Sequence, residues 1–122
     1  MEVNADSASR HWVICLCAQW CGVCRDWRAV FEQAASEYPQ ARFAWIDVED
    51  EAAAMGDVDV ETFPTVLVAA AGRPVFFGPV LPSAAGLQRL LASVTGPGAA
   101  PTGITPEVPG LFRRLVEVLP NS

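Results

Sequence analysis

Hydrophobic residues fall along this chain in two rhythms that alternate. Residues 12–17, WVICLC, are apolar at every position and rich in β-formers, which predicts a strand buried on both faces of a sheet. From residue 23 to 38 the apolar positions Val23, Trp27, Val30, Phe31, Ala34 and Ala35 recur at helical spacing, with Arg28, Glu32, Gln33 and Glu37 on the other side. The spacing predicts an amphipathic helix that stops before Pro39. RFAWIDV at 42–48 predicts a second strand, and EDEAAAMGDV a short helix or turn with acidic residues at its start. TVLVAA at 65–70, the turn signal Ala71-Gly72-Arg73 and PVFFG at 74–78 predict two strands joined as a hairpin, with Pro74 placing the second at an edge. Ser83 can cap a helix whose apolar face is Leu87, Leu90, Leu91 and Val94 and which ends at Gly96.

The order β-α-β-α-β-β-α fits an α/β domain over residues 1–97, with a central mixed sheet of about four strands flanked by helices. Residues 98–122 form a second segment. GPGAAPTGITPEVPG, at 96–110, is too rich in proline and glycine for regular structure and reads as a linker, while residues 111–119 read as a short helix with Leu111, Phe112, Leu115, Val116 and Leu119 on one face. That face is expected to pack on the domain or on a second copy, covering the sheet edge that a short N-terminal segment leaves open.

Composition narrows the chemistry. With 52% hydrophobic and 18% charged residues over 122 positions, the chain is expected to fold as a globule with a real core. The net charge is −6, with eight arginines and no lysine. No basic stripe can track a phosphate backbone, so nucleic acid is not an expected partner. No apolar run reaches the roughly 18 to 20 residues that cross a bilayer, so no membrane association is expected. The acidic N-terminus lacks the features of a signal peptide, and a cytoplasmic protein is the default expectation.

All four cysteines lie within residues 15–24, in CLCAQWCGVC. Such a cluster can bind metal, form disulfides or exchange thiols, and in a reducing compartment structural disulfides are the weakest of the three. A four-sulfur metal site is also disfavoured, because two of the sulfurs sit in a strand that aims poorly at a point shared with the other pair. Cys21 and Cys24 straddle a strand-to-helix junction. Cys21 falls at the first turn, where unpaired amides and the positive end of the helix dipole stabilise a thiolate, and Cys24 follows one turn later on the same side. Gly22 lets a partner chain approach the backbone, and Trp20 offers it a flat apolar shoulder. Cys15 and Cys17 alternate on one strand face and read as small buried hydrophobes, with disulfide exchange between Cys15 and Cys24 as the sharper alternative. Asp47, Glu49, Asp50 and Glu51 read as a solvated helix start, and His11 as a polar flank. Trp12, Trp27 and Trp45 are expected in the core.

WCGVC after a buried strand, followed by Phe63-Pro64-Thr65 at the opening of a later one, resembles the thioredoxin superfamily, whose Trp-Cys-Gly-Pro-Cys site faces a cis-proline. The likeness covers about residues 11–95. It implies that Cys21 is the nucleophile and Cys24 the resolving cysteine. Trp20, Gly22, Val23, Phe63, Pro64 and Thr65 would bind the partner backbone, and Gly78, or Val80 by a gap-free register, would complete that surface. It further implies protein substrates carrying disulfides or thiols, no dissociable cofactor, and recharging by a thioredoxin reductase or another dithiol protein. The chain departs from the family pattern at its buried aspartate, here Cys15, at the partner lysine, here Trp45, and at the proline between the cysteines, here Val23. These departures keep a second reading in view: a thioredoxin-fold binding module or chaperone whose redox pair is vestigial or regulatory.

Overall fold

A computed structural model describes residues 11–39, 41–95 and 100–119. The elements run β1 (His11–Cys17), α1 (Gly22–Glu37), β2 (Ala41–Asp47), α2 (Ala52–Met55), β3 (Thr65–Ala70), β4 (Arg73–Pro79), α3 (Ala84–Thr95) and α4 (Val108–Val118). The four strands form one sheet in the order β2-β1-β3-β4, with β1 parallel to β2 and antiparallel to β3, and β3 antiparallel to β4. The fold is thioredoxin-like, with a four-strand mixed sheet flanked by helices, as expected.

The unbroken apolar runs are explained by a core on each side of the sheet. On one side Val13, Cys15 and Cys17 of β1 and Val66 and Val68 of β3 pack beneath Trp27 and Phe31 of α1 and Leu87 and Leu91 of α3. The alternate residues Ile14, Leu16, Leu67 and Ala69 face the other side, where α2 and α4 cover them. β2 is only half-buried, except at Ile46, because it is an outer strand of the sheet among the described residues. Trp12 and Trp45 accordingly lie at the margins of the two cores, and of the three tryptophans expected inside only Trp27 is fully enclosed.

Local signals set the element ends. The backbone N–H of Gly86 donates to Ser83 Oγ at 3.0 Å, the bond that makes serine an effective helix cap. The hairpin between β3 and β4 turns through Ala71 and Gly72, both at positive φ, as a two-residue loop requires.

The C-terminal segment docks differently from the expectation. α4 does pack on the domain, but the segment before it borders β4, on the opposite side of the sheet from β2. Thr102 bridges in parallel to β4: its N–H donates to Val75 O and its carbonyl accepts from Phe77 N–H, both at 3.0 Å. Gly103 follows at positive φ, and a Cβ there would run into the Phe77 carbonyl oxygen. β4 is one of the two outer strands in this sheet order among the described residues, so the linker satisfies backbone on that edge that would otherwise be open. From α4, Arg114 Nε donates to Ala54 O at 2.7 Å, capping the last carbonyls of α2. The expected boundary at residue 97 lies outside the described residues.

Candidate active site

The site lies where β1 hands over to α1. β1 ends at Cys17, Ala18 remains buried, and the chain turns through Gln19 and Trp20 so that Cys21 N–H donates to Ala18 O at 3.0 Å. Cys21 is the N-cap of α1, in extended conformation, and its carbonyl accepts the first helical bond, from Arg25 N–H. No side chain caps this helix and its first turn carries no acidic residue. The free amides and the positive end of the dipole therefore lie at the position that Cys21 occupies.

The four sulfurs have different fates. Cys21 is half-exposed and free. Cys24, 1% exposed, is bonded to Cys17 across a Cα–Cα separation of 5.9 Å. Cys15 is free and buried one pleat deeper along β1. Trp27 Nε1–H donates to Cys15 Sγ at 3.2 Å, and Cys15 Sγ lies 3.7 Å from Cys17 Sγ. Because a disulfide sulfur carries no proton, the Cys15 thiol is the donor in this second contact. The alternation of Cys15 and Cys17 placed both on the core face, as observed. It did not anticipate that Cys17 would reach the helix, and the view that a strand cysteine aims poorly at the second pair is corrected for Cys17. Cys17 is the last strand residue and meets the first turn of α1, whereas Cys15, two residues back, is roofed by Trp27.

Burial pushes the Cys15 thiol up to about 12 from 9.0, with the Trp27 hydrogen bond offsetting only part of the shift. Above pH 9 the unfolded chain loses this proton while the folded one keeps it, so the unfolded state binds fewer protons and stability falls as pH rises towards 12. The slope is about 1.4 kcal/mol per pH unit. Urea unfolding of wild type and Cys15→Ala at pH 8 and pH 10.5 is expected to show wild type losing about 2 kcal/mol relative to the variant. An unchanged difference between them would place the Cys15 thiol in a polar setting instead.

Around Cys21 stand the residues that the resemblance singled out. Trp20 is 62% exposed and Val23 47% exposed. The Trp20 ring meets Phe63 edge-on at 5.7 Å between centroids. The Phe63–Pro64 peptide bond is cis, Pro64 is buried, and Thr65 Oγ donates to Thr62 O at 2.6 Å. Val80 N–H donates to Pro64 O at 3.1 Å, while Gly78 pairs with Val66 further along β4. A Cβ at Gly22 would meet only the far end of Arg25, so the backbone there is open to approach. Trp45 stands beside Cys15 in the β1–β2 register, stacked under the Arg28 guanidinium at 5.0 Å.

Two residues were misread from sequence. Asp47 is not part of a solvated helix start: one carboxylate oxygen accepts Gln19 N–H at 2.8 Å and the other accepts Glu49 and Asp50 N–H at 2.9 and 3.2 Å. Glu49 accepts Trp20 Nε1–H at 2.8 Å. Both therefore anchor the loop that carries the cysteines. The available signal was register, since Asp47 ends β2 directly opposite Cys17. Asp47→Ala is expected to cost about 2 kcal/mol in urea unfolding, because three backbone donors lose a charged acceptor. A wild-type midpoint would show that water replaces the carboxylate without loss.

Comparison with known proteins agrees with this geometry. Over 70 residues the chain is 35% identical to a thioredoxin of Arabidopsis thaliana, a match that covers 57% of this chain and 46% of that one. Over 62 residues it is 29% identical to the thioredoxin of Mycoplasma genitalium, covering 51% and 61%. The matches thus span about half the length of these curated relatives. The X-ray structure of Fasciola hepatica thioredoxin superposes with a TM-score of 0.60 at 29% identity, over 77% of this chain and 90% of that one. Residues 2–80 match the thioredoxin family model, and with a match over most of its length, on a sheet and helix of this geometry, the chain belongs to the thioredoxin family.

Proposed function

We propose that this chain is a thiol–disulfide oxidoreductase that acts on protein disulfides through dithiol exchange. The observation that carries this reading is the free, half-exposed Cys21 at an uncapped helix start, bordered by Trp20 and the cis Phe63–Pro64 segment. Cys21 thiolate attacks a partner disulfide, forming a mixed disulfide and releasing the partner's first thiolate. Cys24, freed from Cys17 by prior reduction, then attacks Cys21, and the partner leaves fully reduced as the Cys21–Cys24 bond closes. Trp20, Gly22, Val23, Phe63, Pro64 and Thr65 present the flat apolar shoulder and the backbone groups along which an extended partner segment binds. Exchange itself needs no cofactor. A reductase or dithiol protein returns the pair to the thiol state.

One observation favours the second reading, that of a binding module: Cys24 is engaged with Cys17 rather than with Cys21. Insulin reduction by dithiothreitol separates the two. Catalysis by wild type and not by Cys21→Ser supports the enzyme, and equal slow rates assign the surface to binding alone.

A further inference from the structure

Cys24 has two cysteine neighbours and can bond only one of them at a time. Cys21 is the N-cap of α1 and Cys24 the third helical residue, the two positions whose side chains meet at a helix start. Cys17 reaches the same sulfur from the end of β1. Cys21 therefore approaches from the solvent side, where it is half-exposed, and Cys17 from the core side, where it is 1% exposed.

We propose that Cys17 is a third redox-active residue and that Cys24 passes its disulfide between Cys21 and Cys17. The inference rests on the reading of Cys21 and Cys24 as the exchange pair. Once substrate reduction has closed the Cys21–Cys24 bond, Cys17 attacks Cys24 Sγ as a thiolate. The Cys17–Cys24 bond forms, the Cys21–Cys24 bond breaks, and Cys21 leaves as a thiolate that takes up the proton Cys17 has lost. One disulfide and two thiols are present before and after, so the step needs no outside oxidant.

The surroundings suit this traffic. The Cys15 thiol donates to the Cys17 sulfur at 3.7 Å, and Trp27 Nε1–H holds Cys15 in place at 3.2 Å. Whenever Cys21 attacks Cys24 in the reverse direction, Cys17 departs as a thiolate in the core, and this S–H is the donor that receives it. Cys15 keeps its proton through the physiological range, so the donor is always present.

The consequence is an oxidised chain with a free thiol at its surface. With its disulfide held between Cys17 and Cys24, the protein still offers Cys21 to a partner disulfide, yet has no free Cys24 to complete the exchange. It captures a partner covalently and holds it until Cys17–Cys24 is reduced.

The test is disulfide mapping of the full chain. Reduced protein is oxidised with one equivalent of diamide, quenched in acid at intervals, blocked with N-ethylmaleimide and cut by chymotrypsin after Leu16, Trp20 and Trp27. This separates Cys17, in residues 17–20, from Cys21 and Cys24, in residues 21–27. The expected result is an early 21–27 peptide looped on itself, giving way to 17–20 joined to 21–27 with the block on Cys21. A looped peptide that persists, with the block on Cys17, overturns the inference. In oxidised Cys17→Ala the loop is expected to persist, and native labelling of Cys21 to fall at least tenfold below wild type. Insulin reduction by the same preparations keeps the two readings apart. Cys21-dependent catalysis without the joined peptide sinks this inference alone, whereas the joined peptide without such catalysis sinks the oxidoreductase reading.

Discussion

With Cys21 replaced by serine, the chain is expected to reduce insulin no faster than dithiothreitol alone, while Cys24→Ser is expected to lose turnover but keep the first half of the reaction. The two differ because, in the exchange proposed above, the two sulfurs do different work. A serine hydroxyl cannot form a bond to sulfur of the kind that carries exchange, so without Cys21 no mixed disulfide arises and the rate falls to background whatever the rest of the site contributes. Without Cys24 the attack by Cys21 proceeds, but the only remaining route to release is an external thiol, and the mixed disulfide accumulates. Non-reducing electrophoresis should show a covalent complex with Cys24→Ser that dithiothreitol dissolves, and none with Cys21→Ser. A complex of equal yield in both variants would mean that another sulfur attacks. Cys17 and Cys15 are too deeply buried to be that sulfur without local unfolding.

The parts of this site that were legible in the sequence are those set by local chemistry. WVICLC has no polar position to give a solvent face, and it forms the strand covered on both sides. Phe63-Pro64-Thr65 sits at the opening of β3 because proline lacks the N–H that a strand interior requires. What was not legible depends on how far one element overlaps another. Period-two alternation puts Cys15 and Cys17 on the same face. It says nothing of which one lies under the first turn of α1, and that offset of one pleat decides which sulfur bonds Cys24. Asp47 and Glu49 were misread for the same reason. An acidic run at a helix start looks solvated until the β1–β2 register brings it beside Gln19 and Trp20. The linker was opaque in another way, since a proline- and glycine-rich segment has no periodicity to say which strand Thr102 would join.

Ending the chain after Thr105, so that α4 is absent, is expected to leave a protein that does not unfold cooperatively in urea. Val108, Leu111, Phe112 and Leu115 are all buried against the face formed by Ile14, Leu16, Leu67 and Ala69. Each such side chain stabilises the fold by about 1.5–3 kcal/mol, so four together contribute about 6–12 kcal/mol before allowance for a compact unfolded state. Small domains hold a total of about 5–15 kcal/mol. The loss is therefore comparable with all the stability the chain has. It is compounded at α2, a four-residue helix whose final carbonyls lose the Arg114 cap. Leu111→Ala removes only one of these side chains and is expected to cost about 3 kcal/mol with the two-state transition intact. The pair of measurements separates a structural role from a peripheral one. A truncated chain with a wild-type urea midpoint would mean that the second face of the sheet needs no cover beyond α2.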